Sequence, residues 1–179
     1  MNTNGPWKIK SSEEKYKNPW LTVREDQVIR PDGKDGIFGV VEMIAGISVL
    51  PLDEDGFVYL NRAFHYAIEK SDVETVSGGI DSGEDALTSA KRELKEELGI
   101  NADEWIDLGI VNPFTTVIKS PAYLYLAKGL HFSQASEVDE GLELVKVKFE
   151  EAVKMVMTSE ITHGPSCVLI LKANEYLRK

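Results

Sequence analysis

The sequence predicts an α/β fold built as one domain over residues 1–179. Its first half alternates apolar and polar residues in short runs, as strands do, and a segment of helical periodicity follows at residues 84–98. Alternation then returns until two further segments of helical spacing close the chain. A chain of 179 residues, 42% of them hydrophobic, can bury a substantial core, and no repeat or linker-like tract divides it.

Residues 1–42 predict an antiparallel strand region ahead of a core at residues 43–179. Residues 7–16 suit an edge strand or an arm, whereas residues 21–29 alternate more regularly. The turn-forming sequence PDGKDG then leads into the apolar run IFGVVEM. These features predict two strands joined by a turn.

A second pair of strands is predicted at residues 45–52 and 57–64, on either side of a DEDG turn, and we expect the pair to form a hairpin. A short strand at residues 73–76 then enters a glycine loop. Beyond the central helix, apolar periodicity predicts strands at 105–111, 115–118, 122–127 and 142–149, and helices at 150–157 and 166–177.

The net charge of −10 argues against nucleic acid as the main partner, because no basic stripe is present to displace counterions. The single cysteine, Cys167, lies in an apolar run, and one cysteine cannot form a disulfide within its own chain. No apolar stretch approaches the length of a membrane span. We therefore expect a cytoplasmic protein that binds neither nucleic acid nor membrane.

The stretch GGIDSGEDALTSAKRELKEELGI, residues 78–100, carries the clearest chemical signal. Glycines open it, so the backbone there can approach a ligand closely. Gly99 stands where a helix C-cap is expected. The apolar stripe of the predicted helix consists of Leu87, Ala90, Leu94 and Leu98.

Three glutamates of this helix, Glu93, Glu96 and Glu97, fall within an arc of roughly 100° beside the apolar stripe. Carboxylates so close together repel one another and raise each other's pKa unless a cation intervenes. Hard divalent ions take oxygen ligands, and Mg²⁺ leaves coordination positions open for a substrate phosphate. The alternative is a solvated acidic face, because glutamate is a good helix former.

The spacing of this stretch resembles the signature of the Nudix hydrolases at every position: Gly78, Glu84, Arg92–Leu94, Glu96–Glu97 and Gly99–Ile100. The resemblance implies an α/β/α sandwich with a mixed sheet, and a hydrolase that uses Mg²⁺ or Mn²⁺. The sequence NPWLTVREDQVIRPDGKDGIFGVVEM and the segments that follow it are similar to the ADP-ribose pyrophosphatase and nucleoside-diphosphate-sugar branch of the family.

By this resemblance Glu93, Glu96 and Glu97 are the catalytic metal ligands, and the carbonyl of Ser77 joins them. The resemblance also implies that metal binding and catalysis extend to an acidic loop just before the last predicted strand. In that loop Glu140 corresponds to a metal-contacting position. Glu137 is the nearer candidate for general base, and the alternative is a loop that is merely solvated.

Arg92 corresponds to the family's structural brace, which holds the glutamates of the helix in place together with Glu84. The alternative is an ordinary surface pair between Arg92 and Glu96, four residues apart. We favour the brace, because a metal cluster needs oriented ligands.

Substrate contacts are implied by the residues around the signature stretch of residues 78–100, which we call the acidic box. Relatives usually read Glu-Leu-Pro-Ala-Gly before it, whereas this chain keeps Glu74 and has Val76 in place of the proline. His65 stands where many relatives have arginine, and it either contacts a substrate phosphate or simply ends a strand. The other implied contacts are Arg62, Gly78, Gly79 and Pro113, the last being a counterpart of a proline that accompanies ADP-ribose preference or only a strand breaker.

The resemblance implies hydrolysis of the pyrophosphate bond of a nucleoside diphosphate derivative, first of all ADP-ribose to AMP and ribose 5-phosphate. Two alternatives stay open: a hydrolase of another nucleotide sugar, dinucleotide or oxidised nucleotide, and a Nudix domain that senses a nucleotide sugar without cleaving it. Relatives in this branch commonly pair through their N-terminal strands. A homodimer is therefore expected, with Trp7, Trp20 and Phe38 supplying apolar contacts.

Overall fold

The protein is described by a computed structural model that covers residues 2–133 and 142–178. In this part of the chain the strands are β1 (Asn2–Asn4), β2 (Trp7–Lys17), β3 (Leu21–Ile29), β4 (Asp35–Met43), β5 (Gly46–Pro51), β6 (Phe57–His65), β7 (Lys70–Glu74), β8 (Val76–Gly79), β9 (Ile100–Val111), β10 (Ile118–Lys119), β11 (Ala122–Phe132) and β12 (Glu143–Lys148). The helices are α1 (Ala86–Leu98), α2 (Phe149–Met157) and α3 (Gly164–Leu177).

One compact unit comprises Met1–Ile44 and Phe114–Ser120. It holds a 5-stranded sheet in the order β1-β2-β3-β4-β10, antiparallel apart from the short parallel pair of β4 and β10. The predicted antiparallel pair in the N-terminal region is confirmed, since β3 and β4 run antiparallel on either side of the PDGKDG turn. Within this unit Trp7 and Phe38 pack edge to face, with ring centroids 5.4 Å apart.

The second unit, Ala45–Pro113 and Pro121–Lys179, is built around a mixed sheet in the order β8-β5-β11-β9. Strands β5 and β11 are parallel, and each has an antiparallel neighbour on its outer side. Alternate residues of β5 pack against different helices, because strand side chains point alternately to the two faces. Ile47 and Val49 lie in one core with α1, and Leu50 lies in the other with α3. This unit is therefore the predicted α/β/α sandwich.

The predicted hairpin of residues 45–52 and 57–64 is wrong. Strand β6 pairs with β7 and β12 in a separate 3-stranded sheet, and among the described residues an isolated bridge between Leu52 and Val58 is what joins the two segments. Asp53 stabilises the sharp connection, because its carboxylate accepts hydrogen bonds from the backbone N–H of Phe57 and the hydroxyl of Tyr59, both at 2.8 Å. The chain thus leaves one sheet here and begins another.

The predicted strand at residues 115–118 is also wrong. Residues 115–117 form a turn, and the short strand β10 begins at Ile118. The three predicted helices are all confirmed, with ends that differ by one or two residues from those expected. None of the helices in the described part of the chain has both the length and the apolar character needed to cross a membrane.

Candidate active site

Helix α1 is fixed at both ends. At its start the Asp85 side chain accepts a hydrogen bond from the backbone N–H of Thr88 at 3.0 Å, which satisfies a free donor of the first turn. At its end Gly99 adopts a left-handed conformation with φ of 64°, which glycine tolerates better than other residues. Ala90 and Leu94, between these ends, are fully buried. The rotation of the helix is therefore set, and with it the direction of its glutamates.

The glycine loop comes very close to this helix. Strand β8 ends in Gly78 and Gly79, and a Cβ atom added to Gly78 would lie 2.2 Å from the carboxyl group of Glu93. A side chain at position 78 would therefore force the Glu93 carboxyl group out of its present place. The close approach brings the backbone of β8 and the glutamates of α1 into one site.

Arg92 lies at the centre of a hydrogen-bonded cluster. Its Nε is 3.3 Å from Oε2 of Glu84, its Nη1 is 2.8 Å from Oε1 of Glu93 and 3.0 Å from Oε2 of Glu96, and its Nη2 donates to the carbonyl of Gly79 at 3.2 Å. Burial alone would lower the pKa of Arg92, but the hydrogen bonds with Glu93 and Glu96 raise it. The pair of Arg92 with Glu96, which the sequence offered as the alternative to a brace, is thus one of several contacts that Arg92 makes.

Glu97 is the most buried of the three helix glutamates, with 7% of the residue exposed. Burial, followed by the negative charges of Glu93 and Glu74, raises its pKa to about 8. The side-chain amide of Asn61 and the backbone N–H of Ser77 hydrogen-bond to it and act in the opposite direction. A negative charge on Glu97 is therefore costly in this environment unless a positive charge comes near.

Glu74 lies between two histidines. Its Oε1 is 3.4 Å from Nε2 of His65, and its Oε2 is 3.1 Å from Nδ1 of His163. The two imidazole rings are stacked, with centroids 6.3 Å apart, and Ser166 Oγ lies 2.8 Å from Nδ1 of His163. Burial raises the pKa of Glu74 and lowers that of His163 to about 4.

The sequence pattern did not indicate the contacts of Asn61 and His163. Asn61 lies in a strand and His163 immediately before α3, both far along the chain from the acidic helix. One signal was present in the sequence, because the polar Asn61 directly follows the run Val58–Leu60 of β6. A buried polar side chain in such a run needs a partner, and that partner is Glu97.

The remaining predicted residues are placed differently. Arg62 is half-exposed on β6, with its Nε 3.5 Å from Oε2 of Glu143. Pro113 is exposed in the segment after β9. Glu137 and Glu140 lie outside the described residues.

Within residues 2–133 and 142–178, no three histidine, cysteine, aspartate or glutamate side chains are disposed to hold a metal ion. Arg92 engages Glu93 and Glu96, and Asn61 engages Glu97. The donor chemistry nevertheless fits a hard divalent cation, since it combines helix carboxylates with backbone carbonyl oxygens of the adjacent β8. Glu97 is buried, so a nearby cation would stabilise the charged form of its carboxylate.

Comparison with known protein families gives two matches along the chain. Residues 7–41 match the nucleoside diphosphate sugar hydrolase N-terminal domain, and residues 43–159 match the NUDIX domain. The second match covers well over half of the chain and includes β5 to β9, α1, β10 to β12 and α2.

Individual relatives are similar over most of their length. The ADP-ribose pyrophosphatase of Bacillus subtilis (strain 168) is 25% identical over 169 residues, which cover 86% of this chain and 88% of the relative. The methanol dehydrogenase activator of Bacillus methanolicus is 24% identical over 165 residues, with 89% and 88% covered. A crystal structure of an ADP compounds hydrolase has the same fold, with a TM-score of 0.83 and 20% sequence identity. The aligned region covers 96% of this chain and 94% of the chain in that structure.

Proposed function

Because this chain belongs to the Nudix hydrolase family, we propose that it hydrolyses the pyrophosphate bond of ADP-ribose to give AMP and ribose 5-phosphate. The observation that carries the proposal is the joint placement of Glu93 against Gly78 and of Glu97 in a buried position on the same helix. It is supported by the similarity to ADP-ribose pyrophosphatases from two bacteria, Bacillus subtilis and Mycobacterium tuberculosis.

Nudix hydrolases generally use divalent metals, and we infer that Mg²⁺ or Mn²⁺ is held here by Glu93, Glu96 and Glu97 with the carbonyl of Ser77. When bound, such a cation polarises a phosphoryl oxygen and lowers the pKa of a coordinated water. Arg92 holds Glu93 and Glu96 beside the glycine loop, which keeps both carboxylates oriented. Glu140 as a further ligand and Glu137 as the general base complete the proposal.

Substrate binding is proposed for the polar groups around this helix. The backbone of Gly78 and Gly79 can lie against a diphosphate because it carries no side chain. Glu74, held by His65, would accept a hydrogen bond from a substrate hydroxyl or amino group. Arg62 and Pro113 are the remaining proposed contacts.

A second candidate is a nucleoside diphosphate sugar as substrate, favoured by the match of residues 7–41 to the N-terminal domain of such hydrolases. A domain that only senses a nucleotide sugar is disfavoured, because every position of the acidic box is present in this chain. We also infer a cytoplasmic homodimer formed through the N-terminal strands. The exposed Trp20 supports that inference, with 65% of its surface accessible in the unit that carries those strands.

A substrate panel tests the proposal. ADP-ribose, GDP-mannose, UDP-glucose, NADH and diadenosine polyphosphates are incubated with the protein and Mg²⁺ or Mn²⁺, and products are separated by chromatography. We expect AMP and ribose 5-phosphate from ADP-ribose, at the highest kcat/KM of the panel. If ADP-ribose stays intact while another compound is cleaved, the substrate is wrong but the reaction class stands.

The variant Glu97→Gln tests the chemistry. We expect kcat/KM to fall at least about 100-fold, close to 3 kcal/mol of transition-state stabilisation, because the amide cannot carry the ligand's negative charge. Glu175→Gln, an exposed glutamate on α3, is the matched control and should leave kcat/KM unchanged. A Glu97→Gln rate within about threefold of wild type, less than 1 kcal/mol, would show that Glu97 is not a metal ligand.

A further inference from the structure

Asn61 is a buried polar residue in an apolar setting, and one of its side-chain atoms has no hydrogen-bond partner among the described residues. It lies in β6 with 2% of its surface exposed, and its neighbours Val58 and Leu60 are fully buried apolar residues. Its Oδ1 is buried and has no hydrogen-bond partner within the described part of the chain. A buried polar atom without a partner costs about 1–3 kcal/mol, so packing alone does not explain an asparagine at this position.

The other end of the same amide has a clear partner. Nδ2 of Asn61 donates a hydrogen bond to Oε2 of Glu97, which lies on α1, the helix that carries the acidic box. An amide N–H donates without bringing a charge of its own, and it cannot be deprotonated near neutral pH. It therefore supports a carboxylate without neutralising it, whereas a lysine or arginine in its place would compete with a cation for the same oxygen.

The surroundings explain why a neutral donor is suited to this place. The register of β6 and β7 places Asn61 directly opposite Glu74, so the two side chains project from the same face of the sheet. The negative charge of Glu74 also raises the pKa of Glu97. An aspartate at position 61 would add a third negative charge, and an apolar residue would leave Glu97 without its side-chain donor.

We propose that Asn61 is a positioning residue of the metal site, which fixes the carboxylate of Glu97 by holding its Oε2. This inference rests on the proposed function, because it requires Glu97 to be a metal ligand. Hydrogen-bond partners that orient a ligand are typically worth 10–100-fold in metal affinity. Asn61 hydrogen-bonds the proposed ligand Glu97, so its effect is on metal binding first and on catalysis through metal binding.

The test measures the affinity for Mn²⁺ by electron paramagnetic resonance of the free ion, with no substrate present. Asn61→Leu keeps the approximate shape of the side chain and removes the donor. The control Ser48→Ala removes another buried hydrogen-bonding group of the same unit, a hydroxyl 2.5 Å from that of Thr75. We expect Asn61→Leu to bind Mn²⁺ about 10–100-fold more weakly and Ser48→Ala to match the wild type.

Thermal unfolding is recorded for each variant, because a merely structural role would change the melting temperature and leave Mn²⁺ affinity unchanged. That result overturns the inference. If Asn61→Leu does not fold, Asn61→Thr replaces it. Threonine is favoured in strands, and its shorter side chain lacks the amide donor. We expect Asn61→Thr to weaken Mn²⁺ binding to the same extent. Absence of Mn²⁺ binding by the wild type overturns the proposed metal chemistry and this inference with it, whereas tight binding by wild type and both Asn61 variants overturns this inference alone.

Discussion

The contact between Gly78 and Glu93 shows how much depends on a single missing side chain. Position 78 has no space for a Cβ, because the Glu93 carboxyl group occupies it. The carboxylate in turn is held by Arg92, so it cannot swing away without breaking a hydrogen bond of 2.8 Å. The backbone of β8 and the acidic helix are therefore held at one separation.

Gly78→Ala should disturb that separation and leave most of the fold intact. The added methyl group displaces Glu93, and a misplacement of about 1 Å at a catalytic group can cost on the order of 100-fold in rate. We expect kcat/KM for ADP-ribose to fall at least about tenfold. Gly39→Ala in β4 is the matched control, since nothing lies within 4 Å of the added atom. Equal activity of the two variants would contradict the requirement for glycine at position 78.

Spacing along the chain predicts the candidate residues of this site that lie within one segment. Glu93, Glu96 and Glu97 follow from helical periodicity, which is a local property. The contacts of Glu97 with Asn61 and of Glu74 with His163 depend on how distant segments pack, and one sequence contains no periodicity that reports such packing. The expected side-chain neighbours of a site are for this reason harder to predict than its ligands.

At the scale of the element, helix α1 positions the acidic residues because its ends are defined. The end at Gly99 depends on a left-handed backbone that other residues adopt only with strain. Its N–H donates to carbonyls of the last turn, including that of Lys95 at 2.9 Å. The glutamates closest to this end, Glu96 and Glu97, depend most on it.

Gly99→Ala should lower the free energy of unfolding by about 1 kcal/mol, because alanine pays for a positive φ that glycine adopts freely. Gly164→Ala, at the start of α3, is the control, since that glycine has no positive φ and open space around it. We expect it to be neutral or slightly stabilising. Urea unfolding monitored by circular dichroism measures both, and equal stability of the two variants would contradict a structural role for the Gly99 cap.

The elements that were predicted wrongly have a common cause. Residues 45–52 and 57–64 have the alternation and the turn of a hairpin, yet β5 pairs with β8 and β11 while β6 joins a different sheet. Alternation reports that a segment is a strand, and it does not report which strand becomes its neighbour. The three helices were predicted well, because their hydrogen bonds are local.

At the scale of the whole molecule, the fold should lose stability in acid through His163. Burial lowers the pKa of this histidine from its ordinary 6.5 to about 4. Between these two values the unfolded chain binds a proton that the folded chain does not, so stability falls as pH falls through this range. Glu74 faces His163 with a raised pKa and acts in the opposite direction, and His65 stacks on the same ring.

His163→Gln removes this contribution. The loss of unfolding free energy between about pH 7 and pH 4 should become smaller than in wild type, by up to about 3 kcal/mol. His131→Gln is the control, because His131 is an exposed histidine paired with Asp103 on the surface. Urea unfolding across this pH range measures the difference, and parallel pH profiles for wild type and His163→Gln would show that His163 titrates normally.

The α/β/α architecture of the second unit was implied by the resemblance to the Nudix family, whereas its division into two sheets was not predicted. Helices lie on both faces of its mixed sheet, with α1 packed in one core and α3 in the other. The 3-stranded sheet of β6, β7 and β12 brings together segments from both sides of the acidic helix in the chain. Within this sheet the pairing of β6 with β7 sets Asn61 opposite Glu74, and Asn61 reaches Glu97 of the acidic helix through a hydrogen bond.

The guanidinium group of Arg92 affects whether the acidic helix needs a metal ion in order to fold. It already supplies a fixed positive charge between Glu84, Glu93 and Glu96. Mutual repulsion of these carboxylates is therefore relieved without a bound ion, so this helix does not need a metal in order to fold. Under the proposed function, the metal-free protein would be folded and inactive until a divalent ion binds.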